Sequence, residues 1–130
     1  MRYLAILFLL CLSFVSLEAK ESGGIINVTQ NNYSQEVEQY PGKAIVVVST
    51  SWCGACKRLK PVFEILSNKF AGQVKFVAID ADQSRDLVDK LKVTALPTIF
   101  FMNNGKVVLR KEGALELGEF EKTLQANLKS

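Results

Sequence analysis

The sequence of 130 residues accommodates one domain, alone or with a short targeting segment, and leaves little room for a second domain. Its apolar share of 48% and charged share of 22% are ordinary for globular proteins, which excludes disordered, collagen-like and multi-span membrane classes. The net charge is +3, and the basic residues are scattered rather than clustered, so no nucleic-acid partner is expected.

The first residues have the pattern of an export signal. Arg2 supplies a positive charge, and the apolar stretch that follows has about 14 residues, fewer than the roughly 20 needed to span a bilayer. Glu18 ends this stretch, and Ala19 is a small residue at a suitable cleavage position. We expect residues 1–19 to be a signal peptide that is removed on export, leaving one domain at residues 20–130. An uncleaved membrane anchor is the alternative.

The exported part of the chain alternates between strand and helix patterns. Residues 44–48 form a continuous β-branched run, typical of a central strand that is covered on both faces. Asn104-Gly105, between two apolar runs, predicts a tight hairpin. The order of elements predicts an α/β fold with a mixed sheet and helices on both faces. The predicted strands are at 25–28, 44–48, 74–79, 98–102 and 106–109, and the predicted helices are at 33–40, 53–70, 84–91 and 117–128.

Histidine is absent from the chain, and cysteine occurs only as Cys11, Cys53 and Cys56. The lack of histidine excludes Ser-His-Asp and Cys-His catalysis and histidine-ligated metal sites. Cys11 falls within the predicted signal peptide, so the exported domain keeps a single Cys-x-x-Cys pair. That pair is either the only disulfide staple of the domain or a working redox centre.

Cys53 and Cys56 occur where a buried strand pattern changes to a helix pattern. Residues three apart lie on the same side of a helical turn, so two sulfurs can form a small disulfide or separate with little movement. The N–H groups and the dipole of the helix N-terminus stabilise a thiolate at Cys53. We therefore expect Cys53 to attack and Cys56, one turn deeper, to resolve the mixed disulfide. A zinc site would need further ligands of other kinds, and a staple closing so short a loop would stabilise the fold very little.

The residues around the pair resemble the thioredoxin family, and the similarity extends over nearly the whole exported chain. The segment Trp52-Cys53-Gly54-Ala55-Cys56-Lys57 resembles the Trp-Cys-Gly-Pro-Cys-Lys motif of that family, and Pro61 matches its helix-kinking proline. Leu96-Pro97-Thr98 is similar to its cis-proline segment. Further similarities to the C-terminal half of the family are found at residues 103–106, 113–115 and 125–128.

The resemblance implies a thioredoxin fold, with a central mixed sheet between two layers of helices, and a Cys53–Cys56 disulfide that cycles with a dithiol. It also implies a shallow surface on which the cysteine-bearing segment of a partner docks. The partners would be proteins with disulfides or dithiols and an unidentified redox protein that recharges the pair. We expect a monomer that needs no cofactor and no metal. The residues implied for the docking surface are Trp52, Leu96, Pro97 (with a cis peptide bond) and Gly113.

Two departures from the family concern proton transfer. Val47 takes the position of a buried acid that the family uses to move a proton, and Phe76 takes that of the lysine often paired with the acid. Neither side chain ionises. We therefore expect that Cys56 gives its proton to water or to the Cys53 thiolate, with no carboxylate relay.

The residues and the resemblance together predict an exported thiol–disulfide oxidoreductase, located in a periplasm or secreted. It would reduce, form or exchange disulfides in partner proteins. Two alternatives remain at this point: a disulfide isomerase or chaperone-like binder of unfolded exported proteins, and a non-catalytic interaction module.

Overall fold

The computed structural model describes residues 24–129. Five strands and three helices alternate along this part of the chain, and one short π-helical turn precedes the second strand. The predicted signal peptide and its cleavage site lie outside the described residues. The elements are β1 (Ile25–Val28), the π-helical turn (Ser34–Glu38), β2 (Lys43–Ser49), α1 (Gly54–Lys69), β3 (Lys75–Asp80), α2 (Arg85–Lys90), β4 (Thr98–Asn103), β5 (Lys106–Glu112) and α3 (Leu117–Leu128).

The five strands form one mixed sheet in the order β1-β3-β2-β4-β5. β3 pairs in parallel with β1 and β2, whereas β4 runs antiparallel to β2 and β5. β2 therefore lies at the centre of the sheet. All five residues from Ala44 to Val48 are buried, which explains the continuous apolar run. The α/β class and mixed sheet predicted from the sequence are confirmed.

Each face of the sheet carries its own apolar core, because alternate residues of a strand point to opposite faces. On one face, Val46 and Val48 pack with Leu87 of α2 and with residues of the π-helical turn. On the other face, Ile45 and Val47 pack with α1 and α3. Helices therefore cover both faces of the sheet, as predicted. The first residues of α1 lie at the end of β2 where the cysteine pair occurs.

Element boundaries differ from the sequence prediction in a few places. The helix predicted over residues 33–40 is only the π-helical turn Ser34–Glu38. α2 is shorter than predicted by one residue at each end, and β5 extends to Glu112. Pro61 lies inside α1 as predicted, and the helix continues to Lys69. No helix within residues 24–129 has the length and apolar character required to cross a membrane.

Candidate active site

Cys53 is the N-cap residue of α1, at the end of the short loop that leaves β2. Its backbone is extended (φ −88°, ψ 123°), and its sulfur accepts a hydrogen bond from the backbone N–H of Cys56 at 3.2 Å. An N-cap side chain ordinarily supplies an oxygen to these unpaired N–H groups. Here a sulfur takes that role, which places Cys53 Sγ at the positive end of the helix dipole.

The surroundings of the two thiols shift their pKa values in opposite directions. A hydrogen bond from the Cys56 thiol lowers the pKa of Cys53, the N–H groups of Cys56 and Ala55 and the Arg58 guanidinium add to this, and partial burial opposes it. Burial, together with the hydrogen bond to Cys53, raises the pKa of Cys56 to about 11. Cys53 is half-buried, Cys56 is buried, and both are free thiols. The site is therefore a dithiol in which one sulfur is the better thiolate.

The loop before β4 brings a second part of the chain to Cys53. The Leu96–Pro97 peptide bond is cis, as the resemblance implied. Cys53 Sγ lies 3.7 Å from the carbonyl oxygen of Leu96 and donates to it. The carbonyl of Pro97 in turn accepts a hydrogen bond from the backbone N–H of Gly113 at 2.8 Å. These contacts bring Leu96, Pro97 and Gly113 together beside Cys53.

Trp52 is a surface residue and not part of the core. Its side chain is 66% exposed, and its indole N–H donates to a carboxylate oxygen of Asp82 at 2.8 Å. The hydrogen bond fixes the indole next to the cysteine pair, so that one face of a large apolar ring is held open to solvent. Asp82 was not identified from the sequence, because no local pattern links it to a residue 30 positions away.

The strand register corrects one prediction about the missing proton relay. Val47 is buried as expected, but its partner in the parallel β2–β3 pair is Ala78. Phe76, which the sequence placed beside Val47, lies opposite Ile45 instead. The register is set by the pairing of β2 with β3 along their whole length, and it could not be predicted from the local sequence of either strand. The conclusion about ionisation is unchanged, since alanine carries no charge either.

A cleft of about 560 Å³ lies on the α1 face of the sheet, and Cys56 forms part of its wall. Ser49, Ala78 and Asp80 line it from the strands, and Lys57 and Lys60 line it from α1. This cleft was not predicted from the sequence. The signal that points to it is the set of small side chains at positions 49, 51 and 78, which leaves space beside a buried thiol.

No group of three or more metal-ligating side chains occurs within the described part of the chain. Cys53 and Cys56 therefore have no neighbouring ligands there with which to complete a four-coordinate zinc site. The chemistry available to this site is thiolate attack on a disulfide, followed by attack from the second thiol.

Comparison with known proteins identifies the family. The family model described as Thioredoxin matches residues 24–126. The chain is 31% identical to the thioredoxin of Pseudomonas aeruginosa over 104 residues, which cover 80% of this chain and 96% of that protein. It is 30% identical to thioredoxin C-2 of Corynebacterium nephridii over 107 residues, covering 82% of this chain and 99% of that protein. The thioredoxin of Gallus gallus is 44% identical over a shorter match of 75 residues, 56% of this chain and 70% of that protein.

The chain belongs to the thioredoxin family, and it is a thiol–disulfide oxidoreductase. The family's substrates in general are disulfides, and a reductase partner restores the dithiol.

Proposed function

We propose that this protein acts after export, as a reductant or exchange catalyst for disulfides in other proteins, with Cys53 attacking and Cys56 resolving. The observation that carries the proposal is the unequal pair of thiols. Cys53 accepts an N–H hydrogen bond and has a lowered pKa, whereas Cys56 is buried and has a raised pKa. Of the two thiols, Cys53 is therefore the one that ionises more readily.

In the proposed reaction, the Cys53 thiolate attacks one sulfur of a substrate disulfide, and the other substrate sulfur leaves as a thiolate. Cys56 then loses its proton and attacks Cys53 Sγ, which breaks the mixed disulfide and releases the second substrate thiolate. The substrate gains two electrons, and the protein is left with a Cys53–Cys56 disulfide. An external dithiol or a redox partner must reduce this disulfide before the next turnover.

The proposed docking surface consists of Trp52, Leu96, Pro97 and Gly113. Its support is their arrangement around Cys53: the exposed indole of the preceding residue, hydrogen-bonded to Asp82, and the cis-proline loop whose Leu96 carbonyl lies 3.7 Å from Cys53 Sγ. Pro97 has no N–H, and its carbonyl is already occupied by Gly113. A docking peptide would therefore find its backbone partners elsewhere in this loop, next to the attacking sulfur.

The test of the enzymatic proposal is reduction of insulin by dithiothreitol, followed as turbidity. The native protein should accelerate the reaction, and Cys53→Ser should abolish the acceleration. With insulin in the absence of dithiothreitol, Cys56→Ser should instead accumulate a mixed disulfide with the substrate, because the attacking thiol remains and the resolving thiol is gone. A native protein no more active than Cys53→Ser would overturn the proposal.

The proposed export rests on the sequence of residues 1–19. Expression of the full chain in a bacterium, fractionation and mass measurement of the purified protein would test it. We expect the protein in the periplasmic fraction, with a mass corresponding to a chain that starts at Lys20. A full-length mass in the membrane fraction would indicate a retained anchor, and a full-length cytoplasmic protein would contradict export.

A further inference from the structure

The resolving thiol needs a route for its proton, and this requirement rests on the proposed function. Cys56 is only 5% exposed, and burial disfavours its thiolate. The paired strand positions Val47 and Ala78, on the sheet face that α1 covers, carry no ionisable group. The proton must therefore leave through the space that adjoins the Cys56 sulfur.

What adjoins Cys56 is the cleft on the α1 face of the sheet. Its volume of about 560 Å³ holds several water molecules, each of which occupies roughly 30 Å³ in the liquid. Ser49, Ser51 and Asn27 line it together with Cys56 and with apolar residues such as Leu59 and Phe63. A cleft of this size, with these polar side chains in its wall, has room for water beside Cys56, and such water would give the Cys56 proton a path that the protein core does not.

Two carboxylates line the same cleft, Asp80 and Glu64, and their positions differ. Asp80 ends β3 and is the register partner of Ser49, the last residue of β2, at the edge of the sheet from which the chain leads to the cysteine pair. Its carboxylate is oriented by a hydrogen bond from the backbone N–H of Asp82 at 2.9 Å. Glu64 lies eight residues beyond Cys56 on α1, about 12 Å along the helix axis.

The other charged groups facing this cleft are Lys57 and Lys60, both from α1. With Asp80 and Glu64 they make a cleft of balanced charge, two ammonium groups against two carboxylates. β1 contributes the neutral Asn27, and β2 contributes only hydroxyl groups. Carboxyl groups are ordinarily ionised at neutral pH and can accept a proton. Asp80 is the carboxylate at the strand end nearest the start of α1, and it faces the cleft that Cys56 lines.

In place of the route without a carboxylate that the sequence led us to expect, we propose that Asp80 accepts the proton of Cys56 through water in this cleft when Cys56 attacks the mixed disulfide. The Cys56 S–H bond breaks, its electron pair forms the new bond to Cys53 Sγ, and the bond between Cys53 Sγ and the substrate sulfur breaks. The substrate leaves as a thiolate. The proton passes to Asp80 and from there to solvent. Asp80 acts through water and does not touch the reacting sulfurs.

Ellman's reagent separates the two steps in single-turnover kinetics on the reduced, full-length protein carrying Cys11→Ser, in which Cys53 and Cys56 are the remaining thiols. The first thionitrobenzoate released marks attack by Cys53, and the second marks resolution by Cys56. With Asp80 as acceptor, the second step of the native protein should be nearly independent of pH between about 6 and 8. In Asp80→Asn the rate of the second step should instead fall about tenfold for each unit by which the pH is lowered. The reason is that only the Cys56 thiolate already present at that pH then attacks. At pH 7 we expect Asp80→Asn to be slower by about tenfold or more.

Glu64→Gln is the matched control, since it neutralises the other carboxylate of the cleft. It should keep the pH-independent second step. Asparagine at position 80 retains an oxygen for the Asp82 N–H, and an unchanged first step would show that the variant is folded. An unchanged second step in Asp80→Asn, or an equal loss in Glu64→Gln, would overturn the role of Asp80 while leaving the proposed function intact. A native protein that releases no thionitrobenzoate would instead contradict the proposed function, and the role of Asp80 with it.

Discussion

At the scale of single residues, the site depends on two cysteines that differ in their surroundings. Cys53 lies at a helix end, where N–H groups and the Arg58 guanidinium stabilise negative charge. Cys56 lies one turn further along the same helix, where burial disfavours charge. The same helical turn therefore holds one thiol whose pKa is lowered and one buried thiol whose pKa is raised.

This difference predicts the pH dependence of alkylation. A lowered pKa keeps the thiolate present at lower pH, so modification of Cys53 by iodoacetamide should reach half its maximal rate at a lower pH than modification of free cysteine. Cys56 should become reactive only as the pH approaches about 11. Tandem mass spectrometry of the peptide that contains both cysteines, after timed alkylation, measures the modification of each one. At pH 7, Cys53 should react with iodoacetamide at least about tenfold faster than Cys56 does.

Arg58→Met provides the control for that experiment. This substitution keeps a long side chain but removes the guanidinium that favours the Cys53 thiolate. The pH at which alkylation of Cys53 reaches half its maximal rate should therefore be higher. An equal alkylation rate at Cys53 and Cys56 near neutral pH would contradict the assignment of attacking and resolving thiols.

At the scale of elements, α1 is held on the sheet by aromatic contacts. Phe63 packs edge-on against Phe76 of β3, with ring centroids 5.3 Å apart, and stacks on Phe120 of α3 at 6.2 Å. One residue thus joins the helix that carries the cysteines to a strand and to the neighbouring helix. Its loss would leave a cavity between all three elements.

Phe63→Ala should lower the free energy of unfolding by about 3–5 kcal/mol, the range observed for burial lost together with a cavity left behind. Urea-induced unfolding of the reduced protein measures the change. Ile65→Ala on the same helix is the control, because that side chain is 51% exposed and its removal should change stability by no more than about 0.5 kcal/mol. Equal losses in the two variants would show that helix propensity rather than core packing is being measured.

The turn between β4 and β5 gives a second prediction at this scale. Asn104 and Gly105 both have positive φ angles, 53° and 79°, as a two-residue hairpin of this twist requires. A Cβ atom at Gly105 would also overlap the backbone carbonyl oxygen of Glu38, so the turn packs against the end of the π-helical turn. Two separate penalties therefore oppose any side chain at position 105.

Gly72→Ala separates these two penalties. Gly72 has a similar positive φ of 86°, but no atom lies within 4 Å of a Cβ built there. Gly72→Ala should cost about 1–2 kcal/mol of stability from the backbone conformation alone. Gly105→Ala should cost clearly more, because the clash with Glu38 is added. Thermal or urea unfolding compares the two variants, and equal costs would contradict the importance of the contact with Glu38.

At the scale of the whole molecule, the reduction potential reflects how strongly the fold stabilises the thiolate over the disulfide. The chain has no histidine, and the stabilising groups at Cys53 are the helix end, the Cys56 thiol and Arg58. We expect a potential between roughly −270 and −180 mV, bracketed by typical thioredoxin and disulfide isomerase values. Equilibration with glutathione redox buffers and alkylation of the remaining thiols measures it. A value near about −120 mV would reveal a stabilising group that this site lacks.

Much of the fold follows from local patterns in the sequence. The β-branched run at residues 44–48 predicted a central strand, and the sheet buries it on both faces. Asn104-Gly105 predicted the hairpin, because its conformation is a property of these two residues themselves. The segment at 33–40 was predicted as a helix and is a five-residue π-helical turn. Its polar pattern does not distinguish a short turn from a longer helix.

The sequence by itself determined the cysteine pair, its place at a strand–helix junction and its thiol chemistry, because spacing, capping and periodicity act over a few residues. Only the tertiary structure decided which distant residues meet there. Leu96 reaches Cys53 across 43 positions, and Asp82 reaches Trp52 across 30. The register of β2 against β3 likewise decides which residue lies opposite Val47. The cleft beside Cys56 forms only when the strands and α1 pack together. Such contacts depend on how whole elements pair and pack, and no local pattern carries that information.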